Sequence, residues 1–288
     1  MGAFEPHAAA LAVSPGRHIH AADVIALLRE VYADGIATRE EAEELIVFDH
    51  SLTEPTAGWS EFFAATIADH VARRQAPAGI VDAEKAAWLI GVLGRGRHTA
   101  TASGYAAILR LIETAHDVSP CLAAYAIRQL RSAVIGRREP ASSVRLNVKR
   151  AVDFESAALV RRILLGSAGQ SARPVSREEA EALFDLHDLA AGGANDADFD
   201  DLFLKAIAHH LIAHAGGHVP PRREALARQS SFPSGMPVSL TGDETAWLAS
   251  QIMRDGRPTK TEFALLQYFT RGAGDTDHAV REFMIQAA

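Results

Sequence analysis

The stretch TREEAEELIVFDH, residues 38–50, returns as SREEAEALFDLHD at residues 176–188. Six of the thirteen positions are identical, and the opening hydroxyl residue changes only from Thr to Ser. Further echoes follow in a fixed order. WSEFFAATIADHV at 59–71 aligns with FDDLFLKAIAHHL at 199–211, sharing Phe63/Phe203, Ile67/Ile207, Ala68/Ala208 and His70/His210. VDAEKAAWL at 81–89 aligns with LTGDETAWL at 240–248, setting Trp88 over Trp247, and GRHTAT at 96–101 aligns with GRPTKT at 256–261. Upstream, DVIALLREVY at 23–32 matches ESAALVRRIL at 155–164 in pattern. Chance produces one such block readily and five in register rarely, so an internal duplication is expected.

The repeated unit reads as helices. Val24, Leu27, Leu28 and Val31 share one face at helical spacing. Thr38-x-x-Glu41, Ser176-x-x-Glu179 and Thr241-x-x-Glu244 are capping boxes, in which the hydroxyl accepts a first-turn N–H and the Glu reaches back. Asp82, Thr101 and Thr261 are further candidate caps. A composition with 48% hydrophobic but only 7% aromatic residues points the same way. The expected fold is all-α, with two tandem homologous helical domains. A tail over 1–19 precedes repeat 1 at 20–150 and repeat 2 at 151–288, joined near 136–150. In repeat 2 a loop insertion, 215–239, replaces the short RRQAPAGI connection, with a short helix suggested at RREALAR. Trp88 and Trp247, in equivalent places, read as core anchors.

The net charge of −7 argues against nucleic acid as the main partner, since phosphate binding needs a basic surface. The single cysteine, Cys121, excludes an intrachain disulfide and a cysteine zinc site; among Pro120, Leu122 and Ala123 it reads as a buried bystander. The N-terminal residues show no basic region ahead of a sustained apolar run, and no stretch has the apolar length of a membrane span. The cytoplasm is therefore the expected location.

Several residues are candidates for chemistry. Counting from Thr38, Leu45 and Asp49 lie one turn apart, as do Leu183 and His187 in the second copy. Phe63, Ile67 and His70 form a stripe matched by Phe203, Ile207, His210 and His214. One arrangement pairs Asp49 with His70 and His187 or Asp188 with His210, as buried polar pairs locking two helices. In AHHLIAHAGGH, 208–218, the i, i+4 spacing of His210 and His214 lets both rings face one divalent metal, with His187, Asp188 or His218 adding a third ligand. The motif is not HExxH, because Leu211 stands beside His210 where the Glu would be. NDADFDD, 195–201, has alternating carboxylates but lacks the Gly and the closing Glu of a calcium loop, so it reads as a helix cap. There is no P-loop, no GxGxxG and no GxSxG.

Asp34, Gly35, Glu40 and Glu41, with Ser176, Glu178 and Glu179 in the second copy, carry a family resemblance. A DG pair ahead of an EE pair that opens a helix, within a compact helical repeat, resembles the TerB-like (tellurite-resistance-associated) helical domains. It is also similar to bacterial proteins with REEAEALF-type repeats. The resemblance implies acidic metal sites, metal or stress functions and membrane-proximal complexes; the second copy lacks the DG pair. Two functions follow as expectations. One is a non-enzymatic scaffold or regulatory protein that binds a protein partner, with a structural metal or as a homo-oligomer. The other is a metal-binding stress protein or metal-dependent enzyme using His210, His214, His187 and Asp188.

Overall fold

The computed structural model describes Val24 and residues 35–95, 100–136, 151–169, 173–191, 193–228, 240–256 and 258–272. Eleven α-helices are present among them, and the chain divides into two compact units, Met1–Leu122 and Ala123–Ala288. That division falls inside a helix, ahead of the junction expected near 136–150. Most of the amphipathic helix expected over 23–32 lies outside the described residues.

The first unit is built on polar starts and apolar faces. Helix α1, Arg39–Ser51, opens with the expected capping box: Thr38 Oγ1 accepts from Glu41 N, and Glu41 Oε2 accepts from Thr38 N. Thr56 caps α2, Ala57–Asp69, which continues into a π-helical turn at His70–Arg74. Asp82 caps α3, Ala83–Leu93, and Thr101 caps α4, Ala102–Thr114. Leu45, Trp59, Phe63, Ile67, Leu89, Ile108 and Leu111 are fully buried between them. One feature departs from pure helix. Ile80–Val81 (β1) and Asp117–Val118 (β2) form a short parallel pair, and α5, Pro120–Gly136, follows. The loop before β1 is tied down by Lys85, whose buried ammonium donates to the carbonyls of Gln75, Pro77 and Ile80 at 2.7–2.8 Å. Gly35 has φ 74°, a left-handed conformation that side chains rarely adopt, so glycine is favoured where the chain enters α1.

In the second unit Asp153 caps α6, Phe154–Ser167, and Ser176 with Glu179 boxes α7, Arg177–Leu189. Asp196 caps α8, Ala197–His214, which settles the NDADFDD cluster as a helix start. Thr241 with Glu244 boxes α10, Gly242–Ile252. The last cap differs from expectation. Helix α11, Lys260–Gly272, is capped by Thr259, not Thr261: Thr259 Oγ1 accepts from Glu262 N, and Glu262 Oε2 accepts from Thr259 N. The helix start has slipped two residues relative to its Thr101 counterpart.

The described part of the insertion does form the short helix, α9, Arg222–Ala225. It is fastened by cations. Arg222, 2% exposed, ion-pairs with fully buried Glu179 at 2.6 Å and donates to the carbonyls of Leu164 and Pro174. Arg161 donates to Leu226 O, and Lys205 donates to Ala227 O. Two expectations about single residues need correction. Cys121 is half-buried rather than buried. Trp247 is 8% exposed, but Trp88 is only half-buried, and the fully buried indole of the first unit is Trp59.

Removing one partner from a buried pair strands the other charge. Arg222→Ala is expected to destabilise the fold by about 3–5 kcal/mol in urea titrations. Arg39→Ala, at an ion pair with Glu84 that is largely solvated, should cost no more than about 1 kcal/mol. Equal effects at the two positions would refute the assignment of Arg222 as the anchor of the insertion.

Candidate metal centre

Helix α7 ends with Leu186-His187-Asp188-Leu189, and its last turn carries the group of interest. His187 points inward because it stands one turn beyond buried Leu183. Its ring stacks on Phe203 of α8 at 4.3 Å and 17°, with Phe199 one turn away on the same helix at 6.4 Å. Stacking fixes the plane of the imidazole and therefore where its nitrogens look. Nδ1 lies 3.8 Å from Glu262 Oε1 and 4.0 Å from Asp188 Oδ1. One donor atom from each residue falls within 4.8 Å of the others. The His187 and Glu262 side chains are 3% and 1% exposed, yet His187 Nδ1 and Glu262 Oε1 have no hydrogen-bond partner.

Each carboxylate is held by its other oxygen. Asp188 Oδ2 accepts from Arg254 Nε and Nη2, leaving Oδ1 toward His187. Glu262 Oε2 accepts from the Thr259 backbone N–H at 2.7 Å and from its hydroxyl at 2.9 Å, leaving Oε1 toward His187. The cap that starts α11 thus also aims the free Oε1 of Glu262 at His187. Burial raises the pKa of Asp188, but the nearby His187 and the hydrogen bonds and charge of Arg254 outweigh it and hold the pKa below the ordinary value. At Glu262 burial wins over Thr259 and His187, and the pKa is raised. An ion bound to imidazole nitrogen and carboxylate oxygen at about 2.0–2.2 Å holds its donors roughly 3–3.5 Å apart. The observed separations close to that range by small side-chain rotations.

The other sequence candidates are placed differently. His210 Nδ1–H donates to Val175 O at 2.8 Å, and His209 Nδ1 accepts from Val175 N while its Nε2–H donates to Pro220 O. Together they clamp the peptide that leads into α7. His214 is exposed and its Nδ1 contacts His210 O at 2.9 Å. His210 and His214 therefore sit beside one another, with rings 4.1 Å apart, and neither joins the His187–Asp188–Glu262 group. His218 is also exposed and outside it. The proposed helix-locking pairs do not form. His70 Nδ1–H donates to Ile36 O and its Nε2 accepts from Gln75, whereas Asp49 accepts from Trp59 Nε1 at 2.7 Å and from Thr101 Oγ1. The reason is distance. Asp49 stands eleven residues past the cap, about 16 Å along the helix, while His70 meets the chain entering that cap. Of the residues singled out by family resemblance, Asp34 lies outside the described residues, Glu40 is exposed, and Glu41 is occupied by its cap.

Glu262, Arg254 and Thr259 were not visible as site residues in the sequence. Thr259-x-x-Glu262 carries the capping-box signature, although the residue aligned with the Thr101 cap is Thr261. No family model, curated protein or solved structure matches the chain.

The histidine clamp carries a pH dependence. Burial lowers the pKa of His210 from 6.5 to about 4, and burial also lowers those of His209 and His70. A folded pKa below the unfolded one means that the unfolded chain takes the proton first. Stability is therefore intact above about pH 6.5 and falls as pH drops toward 4. His210 alone accounts for a loss of about 3 kcal/mol across that window. His210→Gln should lower stability at pH 7 yet flatten the acid slope in urea titrations; an unchanged slope would contradict the clamp.

Proposed function

We propose that the protein is a non-enzymatic, cation-binding helical protein of duplicated origin, with one divalent-metal site at His187, Asp188 and Glu262. The observation that carries this reading is the pair of buried, unpartnered atoms, His187 Nδ1 and Glu262 Oε1, facing each other at 3.8 Å. Buried polar groups are ordinarily hydrogen-bonded, and each one left alone costs about 1–3 kcal/mol. A cation between them relieves both. One nitrogen and two carboxylate oxygens suit zinc, manganese or ferrous iron better than calcium, which takes an all-oxygen shell. Arg254 and Thr259 supply the outer hydrogen bonds that orient metal-ligating carboxylates. With the His187 and Glu262 side chains almost fully buried, the site resembles closed structural centres more than catalytic ones, which keep a coordination position open.

Recurrence supports the duplication. Arg39 lies over the Trp88 ring, whose Nε1 donates to Glu43; Arg177 lies over the Trp247 ring, whose Nε1 donates to Glu181. His70 and His210 each contact, through Nδ1, a carbonyl just ahead of an α-helix N-cap in their own unit: Ile36, two residues before Thr38, and Val175, one residue before Ser176. At the place of His187 the first unit has Asp49, with both oxygens satisfied by Trp59 and Thr101. The reading is therefore one ion per chain. A protein of this kind acts through what it binds, so a protein partner belongs to the same reading.

Elemental analysis of untagged protein should find about one zinc, manganese or iron per chain. Zinc at 100-fold over its Kd should stabilise by about 2.7 kcal/mol. His187→Ala and Glu262→Gln should abolish both effects, and His214→Ala should leave them unchanged. A wild-type protein with no retained ion and no shift in melting temperature would end the proposal, and loss of the ion in His214→Ala would move the site to the histidine pair.

A further inference from the structure

Arg254 reaches Asp188 through a single oxygen. It stands in the 3₁₀ turn Met253–Asp255 that follows α10. Its Nε–H and Nη2–H both donate to Asp188 Oδ2, at 2.9 and 2.5 Å. In the common fork the two donors take one carboxylate oxygen each. Here the other side of the guanidinium is engaged elsewhere: Nη1–H donates to Asp185 Oδ1 at 2.9 Å. Asp185 precedes Asp188 by three residues on α7, so the two carboxylates stand side by side on one helix face. The second oxygen of Asp185 accepts from Arg128 Nε, on α5, at 3.1 Å. Both of its oxygens are thus taken by arginines, and it lies outside the group formed by His187, Asp188 and Glu262.

The ladder Arg128–Asp185–Arg254–Asp188 has little stability to offer. The Arg128 and Arg254 side chains are 42% and 38% exposed, and ion pairs in contact with water contribute little. Its geometry has a sharper consequence. Asp188 Oδ1 is left facing His187 Nδ1 at 4.0 Å, because Arg254 is confined to Oδ2. A guanidinium without its hold on Asp185 is free to turn into the fork and cover Oδ1 as well. Resting on the metal-site reading above, we infer that Asp185 is a positioning residue for the centre: by pinning Arg254 Nη1 it keeps the guanidinium on Oδ2 and leaves Oδ1 of Asp188 open to a divalent cation. Metal-ligating carboxylates are commonly held by such outer hydrogen bonds. Arg128 holds Asp185 in turn, from its far oxygen.

Two measurements on the full-length protein test this apart from the site itself. The first needs no metal. Restricted rotation of the Arg254 guanidinium is read by NMR from separate Nη1 and Nη2 signals at low temperature. Wild type should show them resolved, and Asp185→Ala should merge them. The second is zinc affinity, by competition with a chromophoric chelator. Asp185→Ala should bind about 10–100-fold more weakly than wild type. Asp185→Asn keeps an oxygen for Arg254 Nη1 and should lose less. In an Arg254→Ala background, itself weakened, Asp185→Ala should add no further loss, because Asp185 acts through Arg254. The metal-free melting temperature of Asp185→Ala should fall by no more than about 2–4 °C, since only solvated pairs are lost. Zinc binding by wild type with unchanged affinity in Asp185→Ala would overturn the role of Asp185 and leave the metal site standing. Merged Arg254 signals in wild type would overturn that role as well. So would an equal loss in Asp185→Asn, or an undiminished loss in the Arg254→Ala background, since Asp185 would then act by charge alone. A wild type that binds no zinc, with Arg254 signals that merge in Asp185→Ala, would end the metal site and the positioning role together and keep only the Asp185–Arg254 contact.

Discussion

The second unit is organised around one buried ion pair, Arg222 with Glu179. Glu179 is the third residue of α7, and its carboxylate closes the capping box by accepting from Ser176 N at 2.8 Å. The same carboxylate takes Arg222 through both oxygens and Ser167 through its hydroxyl. Arg222 in turn reaches the Leu164 carbonyl at the end of α6 and the Pro174 carbonyl ahead of α7. Three segments that leave polar groups at their ends are thus satisfied by two side chains. The cost of burying both charges is offset only because nearly every donor and acceptor finds a partner. This fixes the start of α7, and the start of α7 fixes which face its last turn presents.

The corresponding glutamate of the first unit shows what the insertion changes. Glu41 closes the same kind of box on Thr38, and its Oε2 accepts from Ala37 N at 2.8 Å, but it is half-exposed. No arginine from an inserted loop covers it, because the connection after α2 is short and held instead by Lys85 on backbone carbonyls. Nearly identical phrases therefore end in different environments. At the far end of each helix the divergence becomes chemical. Asp49 is closed off by an indole and a hydroxyl, while His187 packs on phenylalanines that offer no hydrogen bond, and its nitrogen is left to face carboxylates. Exchanging Trp59 for Phe199 at the aligned position removes the donor that would have satisfied the site internally.

Much of the frame was legible in the sequence because it is local. Capping boxes at Thr38, Ser176 and Thr241, the side-chain caps at Asp82 and Thr101, and the helix within the insertion follow from residue spacing alone. The inward turn of Asp49 and His187 followed from their distance to Leu45 and Leu183. What failed was anything set by long-range packing. His210 and His214 have attractive spacing, but spacing within a helix cannot reveal that a carbonyl from the preceding loop has already claimed His210. Glu262 lies 75 residues from His187 in the chain and opens a helix whose start has slipped by two positions from its counterpart. Two of the three proposed ligands, His187 and Asp188, are candidates from the sequence; the third, Glu262, belongs to a cap at Thr259, where the aligned residues Thr101 and Thr261 do not correspond as caps.

The closed character of the centre constrains what an ion there can do. Its proposed ligands belong to the last turn of α7 and the first turn of α11, where Glu262 Oε2 closes the cap and Oε1 faces His187. An ion held by that oxygen is therefore coupled to the start of the helix, in the sense that occupancy and helix initiation draw on the same side chain. Removing the ion does not remove the cap, but it returns an unpartnered carboxylate and an unpartnered imidazole to a dry interior. On the proposed reading, occupancy bears on the end of the second unit, whereas its middle is held by Arg222 and Glu179, which take no part in the group.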